Sequence, residues 1–87
     1  MIDWNDITEG TLLEIEWDDI IMDSKWTELE IARISGPTKC RDVGWFLNHD
    51  ELNIRIYYSI NGEKEVAFSI IPKGVIRNVR KINYKDS

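Results

Sequence analysis

Leu52, Ile54, Ile56, Tyr58 and Ile60 alternate with Asn53, Arg55, Tyr57 and Ser59, and the run ends in Asn61-Gly62. A sustained period of two marks a half-buried strand, and Asn-Gly is the two-residue turn whose positive φ angles match the twist of a hairpin. The chain must therefore reverse at once into residues 64–71, where Val66, Phe68 and Ile70 repeat the alternation and are expected on the core face. An antiparallel hairpin this well specified makes a mostly β fold the first expectation.

The rest of the chain supplies further strands. Leu13, Ile15 and Trp17 alternate with Glu14, Glu16 and Asp18 in a first strand over residues 11–20, launched by the turn-forming Thr8-Glu9-Gly10; residues 3–7 fit a single helical turn. Val43-Gly44-Trp45-Phe46-Leu47 is a continuous apolar run, read as a second strand with Gly44 as its bend or bulge, and Asn48-His49-Asp50 as the turn after it. Pro72-Lys73-Gly74 punctuates, and Val75, Ile76 and Val79 suggest a turn of 3₁₀ helix before a fifth strand up to about residue 83. Residues 22–39 fit two patterns: Trp26, Leu29 and Arg33 suit a helix, whereas Leu29, Ile31 and Arg33 suit a strand. Ser24 and Thr27-x-x-Glu30 offer capping chemistry that tips the balance toward a short helix over residues 25–33, ended by Ser35-Gly36-Pro37.

Five short strands with a long first connection, a hairpin and a 3₁₀ link are the order of small Src-homology-3-like and Sm-like barrels. A five-stranded oligonucleotide-binding fold would place a helix where this chain has only Asn61-Gly62. The expectation is one domain over residues 1–87: an extension (1–10), a barrel (11–83) and a tail (84–87). Its core should contain Leu13, Ile15, Val43, Leu47, Ile54, Ile56, Val66, Phe68, Ile70, Ile76 and Val79, with Trp17 and Trp45 in phase with it.

At 87 residues, with a single cysteine, Cys40, the chain has no intrachain disulfide to supplement a small core, so a homo-oligomer that pairs exposed strand edges is expected. The net charge of −5 is polarised. Residues 1–30 carry ten carboxylates and one lysine, the remainder ten cations and six carboxylates. An acidic domain is a poor binder of nucleic acid, whose affinity comes from phosphate neutralisation. Lys73, Arg77, Arg80, Lys81 and Lys85 form a local basic edge, either a holder of one small anion or a solvated face that balances the acidic half. No apolar run is long enough to span a membrane and no secretory leader pattern opens the chain, which suits the cytoplasm.

Catalytic chemistry is not expected. His49 is the sole histidine, placed in a turn, and with Cys40 it cannot build a zinc site; carboxylate neighbours such as Asp18 and Asp19 point to opposite faces of a strand, and no glycine-rich phosphate cradle is present. No metal or cofactor is therefore assigned. What stands out is aromatic surplus, with four tryptophans and three tyrosines. Trp26 in the long connection and Tyr57 on the side of its strand away from Ile56 are the surface candidates, with Arg55 or Arg41 as the nearby guanidinium, because Trp, Tyr and Arg are the residues that anchor interfaces. The alternative for Trp26 is a lid folded over the barrel end.

The order Trp17-Asp18, Trp26, Leu29, Cys40-x-x-Val43-Gly44-Trp45, Leu52 and Ile71-Pro72-Lys73-Gly74-Val75-Ile76, closing in Arg80-Lys81-Ile82, resembles a family of small, uncharacterised proteins encoded by bacteriophages and prophages. Lys25 stands where that pattern has Gly, and Asp42 where it has Ser. The family lends no activity of its own, but the resemblance together with the small size and the lack of catalytic groups points to an accessory binding protein in the bacterial cytoplasm, which blocks a host protein or sequesters a small, nucleotide-like anion in counter-defence. An Sm-like RNA-binding or ribonucleoprotein subunit, or a minor virion or assembly component, is the alternative.

Overall fold

The computed structural model describes residues 2–20, 26–62 and 64–83. In chain order the elements are a 3₁₀ turn η1 (Trp4–Asp6), β1 (Leu12–Asp19), α1 (Leu29–Ile34), β2 (Thr38–His49), β3 (Asn53–Asn61), β4 (Glu65–Pro72), a 3₁₀ turn η2 (Lys73–Val75) and β5 (Ile76–Lys81). The strands make one antiparallel sheet in the order β4-β3-β2-β1-β5, so that β1 to β4 form a meander and β5 returns to pair with β1. The mostly β class and the five strands follow the alternation. The sheet does not close on itself: β4 and β5 are its two edges, so of the closed or partly open barrel expected, the closed form is not what the strand pairing gives.

One face of the sheet is the core. Leu13, Ile15, Phe46, Ile54, Ile56 and Ile71 are buried there, and Ile7 is laid across them by η1. Asp3 caps that turn by accepting the Asn5 N–H at 3.0 Å, and Trp4 stacks on Phe46 with ring centroids 6.2 Å apart. Gly10, at φ 90°, turns the chain into β1 and donates its N–H to the Phe46 carbonyl at 2.8 Å, an arrangement that a Cβ would strain. Trp17, Ile76 and Val79 pack partly buried against the cluster, and the buried Nε1–H of Trp17 has no acceptor among the described residues.

Two strands show the opposite phase to the one expected. On β2 the core receives Gly44 and Phe46, while Val43 is 47% exposed and Trp45 lies half-buried on the outer face. On β4 the core receives Ile71, while Val66, Phe68 and Ile70 are exposed. The cause is a pair of irregularities, between Phe46 and Asn48 in β2 and between Tyr57 and Ser59 in β3. An extra residue in one strand reverses the side-chain phase of everything beyond it. Leu47 becomes the extra residue of β2, Ile60 is carried to the outer face opposite Val66, and Ile71 settles opposite the buried Ile54.

Gly44 is therefore not the bulge. It permits close approach instead: a Cβ there would lie 2.8 Å from the Tyr57 carbonyl oxygen and 3.1 Å from the Ile56 side chain. His49 is not a loop residue either, since it ends β2 and ties three segments together. Its Nδ1 lies 3.0 Å from Lys73 Nζ, which can only donate, so the proton sits on Nε2 and is donated to Asn5 Oδ1 at 3.0 Å.

The helix expected over residues 25–33 starts later and is shorter. Its N-cap is Glu28, whose side chain makes no capping bond, so the box drawn from Thr27 and Glu30 does not form; Ser24 and Lys25 lie outside the described residues. None of α1 is buried. The radius of gyration, 16.1 Å, exceeds the roughly 12 Å of a compact chain of this length, and the longest dimension is 51 Å. No helix is long and apolar enough to cross a membrane among the described residues.

Candidate functional site

The outer face of the sheet divides in two. On the β1–β5 side, charge meets charge: Arg80 lies 3.1 Å from Glu14, Arg41 3.7 Å from the same carboxylate, and Arg77 2.6 Å from Asp18. The Asn78 amide donates to Glu16 at 3.1 Å, and this bond, with the nearby Arg41, Arg77 and Arg80, holds the Glu16 carboxyl below its ordinary range. Of the expected basic edge, Arg77 and Arg80 are thus matched by carboxylates of β1, and Lys73 by His49. Lys85 lies outside the described residues.

Across β2, β3 and β4 the same face is apolar. Trp45 and Tyr57 are cross-strand partners whose rings tilt together at 5.7 Å, and Phe68 sits opposite Tyr57 on the other side. Ile70 lies opposite Arg55, and Val43, Phe68 and Ile70 each leave about half of their surface to water. Clustered exposed apolar side chains of this kind make the face a candidate for partner contact.

Of the four residues singled out in the sequence, Tyr57 and Arg55 share this face, two positions apart on β3. The Arg55 guanidinium is already engaged, donating to Asn48 Oδ1 at 3.0 Å and Asp50 Oδ2 at 2.6 Å. Asp50 also accepts the Leu52 and Asn53 N–H groups at 2.9 and 2.8 Å, so that Arg55 first and these amides next depress its carboxyl to about 2. Arg41 lies farther along β2, opposite Glu16 and beside Glu14. Trp26 does not join them. Its side chain is 103% exposed, which excludes both a lid over the core and contact with Tyr57 within one chain.

Trp26 instead begins a second apolar surface. Leu29, Ile31 and Ile34 on α1 are 63%, 51% and 84% exposed, and the helix is held by its own bonds, including Arg33 to Glu30 at 2.7 Å and Ser35 Oγ to the Ile31 carbonyl. It stands beyond the end of the β1–β2 ladder, whose last pair is Asp19 with Thr38.

Beside η1 and β5 there is an open groove of about 670 Å³, lined by Ile2, Trp4, Lys73, Ile76, Arg77 and Val79 among others. Its two cations are those already held by His49 and Asp18. Among the described residues no three His, Cys, Asp or Glu side chains converge as metal ligands. Sequence reasoning missed Trp45, Phe68 and Ile70 as surface residues, since their strand positions read as core and the bulges that expose them leave no mark in the sequence. No family model, curated protein or solved structure matches the chain.

Proposed function

We propose that this chain is a non-catalytic binding module, of the accessory kind found in bacteriophages and prophages, which occupies a basic-rimmed groove on a host protein with its projecting arm. The observation that carries this reading is the wholly exposed Trp26, followed within one short segment by the exposed Leu29, Ile31 and Ile34. Large apolar side chains that their own fold leaves in water are the anchors of protein interfaces. The sequence around them is acidic, with Asp19, Asp23, Glu28 and Glu30 against Lys25 and Arg33, which favours a cationic protein surface and disfavours phosphate or an anionic bilayer. The same argument sets the Sm-like RNA-binding reading lower, because Arg77 and Arg80 already face carboxylates. The meander with β5 returned to β1 supports regarding the sheet as an opened relative of the Src-homology-3-like and Sm-like barrels.

Affinity capture from host-cell extract tests the reading when the wild-type chain is compared with Trp26→Ala. The substitution should weaken the captured partner by about 2 kcal/mol or more, as for an interface anchor, with no change in melting temperature. Retention of the same partner by Trp26→Ala, or unfolding of that variant, would remove the arm from consideration.

A further inference from the structure

The two edges of the sheet are not alike, and β4 is built to receive a strand. Residues 66–71, Val-Ala-Phe-Ser-Ile-Ile, contain no charge, and none of the devices that blunt a natural edge falls between Glu65 and Pro72. The direction of the free backbone groups follows from the ladder. Lys73 donates its N–H to the Leu52 carbonyl at 2.7 Å, toward β3. Alternation then turns Ile71 and Ser69 toward β3, and Ile70 and Phe68 outward. Pro72 also falls at an outward position, where its missing N–H costs β3 nothing.

We propose that two copies of this chain pair β4 with β4 antiparallel, about a two-fold axis through Ser69, to give one continuous ten-stranded sheet. In that register Phe68 of each copy exchanges both backbone hydrogen bonds with the partner's Ile70, and Val66 donates to the carbonyl of the partner's Pro72. Glu65 falls opposite the partner's Lys73, on the same side of the sheet, and the Lys73 ammonium keeps two N–H donors beyond the one given to His49, so that opposite charges can close both ends of the paired strands. A shift that sets Glu65 opposite the partner's Val75 loses this match and leaves Lys73 facing Ala67. Phe68 and Ile70 then meet on the outer face, where they join the Trp45–Tyr57 patches of both copies into one apolar strip. The interface uses neither Trp26 nor α1, so it stands independently of the arm.

The register makes a sharp test. In a Cys40→Ser background, Ser69→Cys places two thiols on the axis in a non-hydrogen-bonded pair, the closest cross-strand geometry, and mild oxidation should link the chains quantitatively. Ala67→Cys, which faces the partner's Ile71, should not link to itself. Sedimentation of the unmodified chain should show a concentration-dependent dimer at micromolar protein, and Phe68→Lys should raise its dissociation constant about tenfold or more while the monomer stays folded. Trp26→Ala should leave the dimer intact. A monomer at every concentration, or linkage of Ala67→Cys in preference to Ser69→Cys, would overturn the proposal.

Discussion

β4 and β5 are both edge strands of one sheet, yet they are finished in different ways. On β5, Arg77, Asn78 and Arg80 answer Asp18, Glu16 and Glu14, and Ile2 and Trp4 line a groove beside it. On β4, six successive uncharged residues leave Phe68 and Ile70 half exposed. The polarised charge of the chain is thereby explained. The acidic β1 and the basic β5 lie next to each other and pair their charges, while on the far side Arg55 is matched by Asp50 and residues 66–71 of the edge strand carry no charge. An edge that carries cations resists strand addition, whereas an uncharged one invites it.

The contrast depends first on the phase of β4. Ile71→Ala removes a side chain only 2% exposed and should cost about 2–5 kcal/mol, whereas Phe68→Ala on the same strand should cost the monomer about 1 kcal/mol or less; chemical denaturation of both measures it. The reverse ranking would restore the phase that the alternation suggests and abolish the open apolar face. Gly44→Ala comes next, at about 1–3 kcal/mol, because its Cβ would press on the Tyr57 carbonyl and disturb the β2–β3 pairing that supports Trp45 and Tyr57.

On the guarded side the effects are smaller. Arg80→Ala should cost about 0.2–1 kcal/mol, since its guanidinium is well exposed, and added salt should erase most of the difference. Smallest is the acid limb set by Asp50. Its carboxyl is depressed to about 2 from 3.8, so its contribution is complete above the unfolded value and disappears as pH falls through about 2. Asp50→Asn should flatten this part of the pH–stability profile, while at neutral pH it loosens Arg55.

The strands themselves were legible because alternation and turn residues act locally: β1, β3, β4 and the 3₁₀ link fall close to where the residues place them, whereas the reversal after β3 is wider than the two-residue Asn61-Gly62 turn, since Asn61 still belongs to β3 and pairs with Glu65. The phase of β2 and β4 was not, because it is decided by the extra residues Leu47 and Tyr58, and a bulge is a response to packing between strands. Val66, Phe68 and Ile70 keep the pattern of a core face yet look outward, while the weaker set of Ala67, Ser69 and Ile71 looks in. The place of Trp26 in the long connection left an exposed anchor and a lid over the barrel end equally open, and the structure exposes it. The separation of Trp26 from Tyr57, and the capture of Arg55 by Asn48 and Asp50, depend on where the ladders end, which no local pattern encodes.

Residue-resolved hydrogen exchange, read as a function of protein concentration, compares the two edges in one experiment. The Phe68 and Ile70 amides point away from β3; on β5, where Ile82 donates to the Leu12 carbonyl, alternation turns the Val79 and Lys81 amides outward in the same way. Pairing through β4 predicts that Phe68 and Ile70 exchange rapidly in dilute protein and slow progressively as concentration rises, while Val79 and Lys81 stay fast throughout. Rapid exchange of Phe68 and Ile70 at every concentration, or protection that rises equally at both edges, would contradict it.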